Sequence, residues 1–146
     1  MSQTLKTIQN DPKEIVALKK VRKVYDYLLY VNLPIVYALV GWTALEFYHG
    51  ALSAFETCGL VLSLGVSLGT NGINVAHELG HRKNSVEKTL AKALLLPSFY
   101  MHFFIEHNWG HHTYAATKED PATAQYQQSV YGFWISSVSR QYANAW

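Results

Sequence analysis

Hydrophobic and polar positions divide this chain into long, uneven blocks. From Val24 to His81 there are 58 residues without a lysine or arginine, and only Asp26, Glu46, Glu56 and Glu78 are acidic there. Leu28–Tyr48 is a run of 21 residues, 16 of them apolar, and Thr57–His77 is a second run of 21 without a formal charge. A helix needs about 20 mostly apolar residues to cross a hydrocarbon core of roughly 30 Å. The pattern predicts two crossing helices, about 28–48 and 54–76, turning at His49-Gly50 between Glu46 and Glu56. The competing reading is an apolar helical pair in a soluble protein.

Basic residues bracket the pair. Lys19, Lys20, Arg22 and Lys23 precede the first run, Arg82, Lys83 and Lys88 follow the second, and the connecting turn has none. The positive-inside rule then places both outer ends in the cytoplasm. The first 27 residues are polar and lack the apolar run of a secretory leader. Residues 1–27 read as a separate basic helix, interfacial or simply solvated, with Asp11 as N-cap, Pro12 at N1 and Glu14 at N3. Residues 28–146 read as the membrane domain.

A third apolar stretch is different. Between Val86 and Ile105 the charge-free part is Ala93–Ile105, 13 residues or about 20 Å of helix, and Pro97 interrupts it. That is short for a crossing, so a re-entrant or interfacial segment is expected. Such a segment would return the chain to the face it left. Further on, Val130, Trp134, Val138 and Tyr142 share one face of an amphipathic helix. Gly65 and Gly69 form a GxxxG in the second span, which allows a close helix contact there. The fold class expected is all-α: a polytopic membrane protein with one transmembrane hairpin and a re-entrant or interfacial helix.

Composition adds exclusions. The chain has 146 residues, a net charge of +2 and 15% charged residues, against about 25% in a typical soluble domain. The charge balance is too mild for a nucleic-acid binder. One cysteine, Cys58, leaves neither an internal disulfide nor a multi-cysteine metal site. Mean hydropathy is −0.01, an average that conceals the blocks above.

Chemistry concentrates in the histidines. Five of seven fall in two groups, His77 with His81, and His107 with His111 and His112. On an α-helix, positions four apart lie about 40° from each other, so each i, i+4 pair can face one metal. His112, about 100° from His111, would point elsewhere and suits a second, neighbouring metal. Neutral imidazole is the usual protein ligand for zinc, iron and copper. His49, in the turn, and His102, on an apolar stretch, stand alone and are left out of the ligand set. Glu78, Glu106 and Asp120 are candidates to accept a hydrogen bond from a ligand imidazole; helix-end roles are the alternative for each. Asn71 and Asn74 are expected to bond another helix or to line a pocket, and Trp109 and Trp134 to anchor at the interface or meet substrate.

His77-Glu78-Leu79-Gly80-His81 also fits HExxH, in which Glu78 would serve a zinc protease as general base. A catalytic zinc takes three protein ligands and a water, which leaves His111-His112 unexplained. Two irons account for both groups.

His77-Glu78-Leu79-Gly80-His81 with Arg82-Lys83, then Glu106-His107-Asn108-Trp109-Gly110-His111-His112, then Ala116-Thr117-Lys118-Glu119-Asp120-Pro121-Ala122, resemble the integral-membrane alkane hydroxylases (alkane 1-monooxygenases). These belong with membrane fatty-acid desaturases and xylene monooxygenase in the histidine-box superfamily. The resemblance runs from about Asn10 to the end. It implies a non-haem di-iron monooxygenase of the bacterial cytoplasmic membrane, with its histidine boxes on the cytoplasmic side. His77, His81, His107, His111 and His112 match box ligands, and no catalytic residue is implied beyond the ligands. Two iron ions are the implied cofactors. The implied partners are rubredoxin, an NAD(P)H-dependent rubredoxin reductase, O2, an alkane taken to its primary alcohol, and the lipid bilayer. A membrane desaturase, a zinc intramembrane protease and a non-catalytic membrane module are the alternatives. The family has six spans and a third box, Asn-Tyr-x-Glu-His-Tyr-Gly, with no counterpart here. The expectation is therefore a fragment holding the first two boxes, inactive by itself.

Overall fold

The computed structural model describes residues 12–146, with side chains from Lys23 onward; Asp11, the expected N-cap, lies outside the described residues. Helix α1, Pro12–His49, continues without a break into the first apolar run. Pro34 sits inside it, as membrane helices tolerate. The helix stops at Gly50, whose φ of 65° is the left-handed conformation that glycine adopts at little cost.

Helix α2, Ala54–Ser67, starts on a capping box. The Ser53 amide donates to Glu56 Oε2 (2.9 Å) and the Glu56 amide to Ser53 Oγ (3.4 Å). At the other side of the turn, Trp42 Nε1–H donates to Glu46 Oε1 (2.8 Å). Both acidic residues of the turn thus have local partners. A π-helical turn, Leu68–Ile73, and helix α3, Asn74–Gly80, prolong α2.

Lys23–His49 and Ala54–Gly80 are each 27 residues long and apolar enough to cross a membrane. Only 11% and 6% of their most apolar windows are buried within the protein. A core helix of a soluble protein would be mostly covered; these expose their apolar surface, as lipid-facing spans do. The chain is an all-helical membrane protein, as its hydrophobic pattern predicts.

Gly65 and Gly69 do not make the close contact that the motif allows. Among the described residues, nothing lies within 4 Å of a Cβ built on either. Gly72, further along the span, does meet a neighbour: a Cβ there would stand 3.4 Å from the Leu94 carbonyl oxygen. The π turn rearranges the helix face: the Asn74 amide bonds to the Gly69 carbonyl, five residues back, so the α-helical spacing behind the GxxxG reading does not hold there. Nor does Asn71 or Asn74 make a side-chain hydrogen bond to another helix among the described residues.

The core lies at one end of the hairpin. Val36, Ala76, Leu79, Ala91, Leu94, Leu95 and Phe104 are buried together. They come from α1, α3, helix α4 (Ser85–Leu95) and the short helix α5 (His102–Ile105). Asn84 caps α4 by accepting from the Val86 amide (2.9 Å). Polar ties join α1 to the α3–α4 corner. Arg82 reaches Asp26 Oδ1 (3.0 Å) and Glu78 Oε1 (3.1 Å), and the Tyr30 hydroxyl donates to the buried Glu87 (2.7 Å).

The third apolar stretch turns back rather than crossing. After α4, a 3-10 turn over Leu96–Ser98 contains Pro97, and Phe99 has φ 54°. The Phe99 amide bonds to the Leu96 carbonyl (3.0 Å) and the Tyr100 amide to that of Leu95 (3.2 Å). This is a Schellman closure with phenylalanine where glycine is usual. The reversal brings α5 back onto α3. A π turn over Glu106–His111, helix α6 (His112–Tyr114) and helix α7 (Val130–Asn144) complete the order.

Candidate metal centre

His77 and His81 stand one turn apart on α3, whose other side is held by buried Ala76, Leu79 and Gly80. Their Nε2 atoms are 3.0 Å apart. Gly80 faces the Phe104 ring, where a Cβ would make an ordinary van der Waals contact at 3.5 Å. His107 follows α5 and places its Nε2 3.1 Å from that of His81. Phe103 stacks beneath His107 with the rings 19° from parallel.

The second group is wound differently from the expectation. The His112 amide bonds to the His107 carbonyl, an i to i+5 link that widens the turn. The partner brought to His107 Nε2 is therefore His112 Nε2, at 3.2 Å. His111, expected to pair with His107 at α-helical spacing, instead stacks against it with ring centroids 5.4 Å apart. Gly110 is packed directly against the Glu106 carboxylate, so a Cβ there would force that side chain to shift. The doublet His111-His112 was the only sign in the sequence of the altered turn.

Four nitrogens in a row at 3.0, 3.1 and 3.2 Å cannot all be hydrogen bonded. Each imidazole nitrogen is either a donor or an acceptor. His81 Nε2 and His107 Nε2 each have two such neighbours, and one N–H or one lone pair serves one of them well. A cation shared by His77, His81 and His107 resolves the conflict there by accepting three lone pairs, and His112 falls outside that group. A metal–nitrogen distance of about 2.1 Å puts neighbouring ligand nitrogens about 3.0–3.4 Å apart, for right-angled to tetrahedral bonds. The ligand nitrogens of His77, His81 and His107 all lie within 4.8 Å of one another. The residues present fit a metal.

Protonation favours the same chemistry. Burial, then the facing His77, His112, His81 and His111, push His107 down to about 4. Burial and the neighbouring His77 and His112 also lower His81. Both are neutral at pH 7, with lone pairs to offer.

The three carboxylates separate clearly. Asp120 is fully buried, and His111 Nδ1 lies 2.9 Å from its Oδ2. Asp120 also accepts from the Ala122 amide (2.9 Å) and from the Thr123 hydroxyl. Burial alone would raise its pKa, but the bonds from Thr123, Ala122 and His111 outweigh it and hold the carboxyl below its usual range. An ionised Asp120 fixes the Nδ1–H tautomer of His111 and frees its Nε2. Glu78 engages Arg82 rather than an imidazole. Glu106 is buried under Gly110, and its one hydrogen bond among the described residues is a long one from Asn144 Nδ2 (3.5 Å). His49 ends α1 at the turn, and His102 is buried between the rings of Tyr100 and Tyr142. Neither joins the cluster. Sequence reasoning missed Asp26 and Tyr30, whose bonds to Arg82 and Glu87 span more than fifty residues and leave no local pattern.

The fatty acid desaturase family profile matches residues 51–146. The alkane 1-monooxygenase of Pseudomonas putida is 37% identical over 137 residues, which is 94% of this chain and 34% of that protein. Alkane 1-monooxygenase 1 of Alcanivorax borkumensis gives the same identity and coverage. The xylene/toluene monooxygenase hydroxylase component of Pseudomonas putida is 31% identical over 132 residues, 87% of this chain and 35% of that one. The chain thus spans about a third of the length of the curated relatives it matches. With two lipid-facing spans and two histidine groups drawn together at one end, this chain is a member of the fatty acid desaturase family.

Proposed function

We propose that this chain supplies the first two histidine boxes of a membrane-bound non-haem iron monooxygenase that converts the terminal methyl of an alkane to a primary alcohol. The observation that carries the reading is the row of four Nε2 atoms at 3.0–3.2 Å, in a chain 37% identical to alkane 1-monooxygenases. His77, His81 and His107 would hold one iron, and His112, which falls outside that group, would serve a neighbouring one. His111, oriented by Asp120, offers its Nε2 to that second iron. When bound, the irons supply oxygen activation and the oxidising power for the C–H bond.

The chain's own residues do the rest. Neutral imidazoles bind without first losing a proton. Buried Asp120 keeps His111 in one tautomer, and Phe103 under His107 fixes that ring. The apolar outer surfaces of α1 and α2 let an alkane arrive sideways from lipid. Basic residues at both outer ends of the hairpin favour a cytoplasmic centre, within reach of rubredoxin reduced by its NAD(P)H-dependent reductase. The membrane is then the bacterial cytoplasmic membrane.

The alternatives find less support. A protease needs Glu78 at the metal, and Glu78 is bound to Arg82. A desaturase shares the family, but the relatives at 37% identity are named monooxygenases. A metal-free module gives no reason for three convergent nitrogens.

Iron analysis of the full-length protein in membranes tests the reading. About two irons per chain are expected, as in other two-metal sites. Single His77→Ala and His112→Ala replacements should each lower that figure, and unchanged stoichiometry would refute the ligand assignment. Incubation with an alkane and with an acyl substrate separates hydroxylase from desaturase by product: a primary alcohol, or an alkene.

A further inference from the structure

Helix α7 is built inside out for a soluble protein. Its buried residues are Ser137 and Gln141. Gln141 accepts from the Tyr100 hydroxyl (3.0 Å) and donates to Ser137 Oγ (2.8 Å). The apolar residues Tyr131, Trp134, Ile135, Val138 and Tyr142 are 50–74% exposed. At 100° per residue they fill one arc of about 100°. The single charge of the helix, Arg140, is tied back to the Lys118 and Glu119 carbonyl oxygens (3.0 and 3.2 Å).

The position of α7 says what meets that arc. The helix packs on α5 and on the Glu106–His111 turn. That turn carries His107, whose Nε2 is 3.1 Å from His81, the residue directly after the second span. Helix α7 is therefore anchored level with the end of a membrane-crossing helix. Its 15 residues make about 22 Å, short of the roughly 30 Å core. It can lie along the membrane surface and cannot cross it. Tyrosine and tryptophan, which contribute three of the five outward side chains, are the residues that settle at that depth.

We propose that α7 is a monotopic interfacial helix, with Tyr131, Trp134, Ile135, Val138 and Tyr142 embedded in the lipid interface and Ser137 and Gln141 turned inward, Gln141 tied to the Tyr100 hydroxyl. The bilayer then has a third hold on the protein besides the two spans, directly behind the metal centre. The proposal rests on the spans and on the polarity of α7, and it stands or falls apart from the identity of the metal.

The test uses the full-length protein in phosphatidylethanolamine–phosphatidylglycerol vesicles. Nitroxide labels go on Ile135→Cys, Val138→Cys and, as the control outside the arc, the exposed Ala143→Cys, each in a cysteine-free background that includes Cys58→Ser. Labels at 135 and 138 should collide more with dissolved O2 than with an aqueous nickel chelate, and the label at 143 should show the reverse. Equal nickel access at all three places the arc in water and overturns the proposal. Shielding of 135 and 138 from both probes means that another part of the protein or a second copy covers the arc, and overturns it too. Unlabelled protein retaining only Trp134, with Trp42, Trp109 and Trp146 replaced by Phe, gives an independent reading. Brominated phosphatidylcholine should quench its fluorescence, and absence of quenching counts against the lipid contact.

Discussion

Asp120 and His111 separate holding a ligand from being one. Asp120 donates nothing to a metal at His77, His81 and His107, yet it fixes the ring of His111 by one bond of 2.9 Å. Asp120→Asn keeps shape and removes charge. It should lower iron affinity by about 10–100-fold, as loss of such a partner usually does, read as the chelator concentration that strips half the iron. Gly110 is a second single-residue test. Gly110→Ala drives a methyl group into the Glu106 carboxylate; overpacking of this kind costs about 1–3 kcal/mol, and iron content should fall with it. A third test is pH. His107 has its folded pKa depressed to about 4, below an unfolded value of about 6.5. The unfolded chain therefore takes up the proton first. The contribution of the neutral ring is whole above about pH 6.5 and is lost as pH falls towards 4. The melting temperature of chelator-treated protein should drop across that window, and His107→Gln should flatten the drop.

At the scale of elements, the legible parts were those that depend on length and charge. Both spans follow from runs that lack lysine and arginine, and the turn-back at Pro97 follows from a stretch too short to cross. The winding of the two π turns was not legible. Helical spacing from sequence assumes an i to i+4 ladder, and neither the Gly69–Asn74 nor the His107–His112 link obeys it. The assumption paired His107 with His111 and allowed a helix contact at Gly65 and Gly69. It still found all five histidines, because which residue types cluster does not depend on winding. The open space at Gly65 and Gly69 gives a direct check. Gly65→Ala and Gly69→Ala meet no neighbour among the described residues. Each should leave iron content unchanged, and Gly65→Ala, within α2, should gain up to about 1 kcal/mol of helix stability, measured by resistance to denaturing detergent.

Over the whole molecule, two kinds of bond keep the metal centre in place. Burial supplies one: among the described residues seven apolar side chains form the core, while most of the apolar surface of α1 and α2 faces outward. A core that small leaves the position of α1 against α3 to the second kind, the polar bonds at the end of the hairpin. Arg82 is next to His81 in sequence and holds Asp26 of α1 at 3.0 Å, with both side chains about a fifth exposed. An ion pair on an open surface gives about 0–1 kcal/mol, and breaking a buried one costs about 3–5 kcal/mol. This half-covered pair belongs between those limits. Asp26→Asn should therefore cost about 1–2 kcal/mol in detergent denaturation. Loosening α1 also frees the corner that carries His81, so iron should be lost at a lower chelator concentration even while the protein remains folded. Asp26→Glu restores the charge and should recover part of that retention. If Asp26→Asn lowers stability but leaves iron retention unchanged, the pair braces the hairpin without positioning the centre.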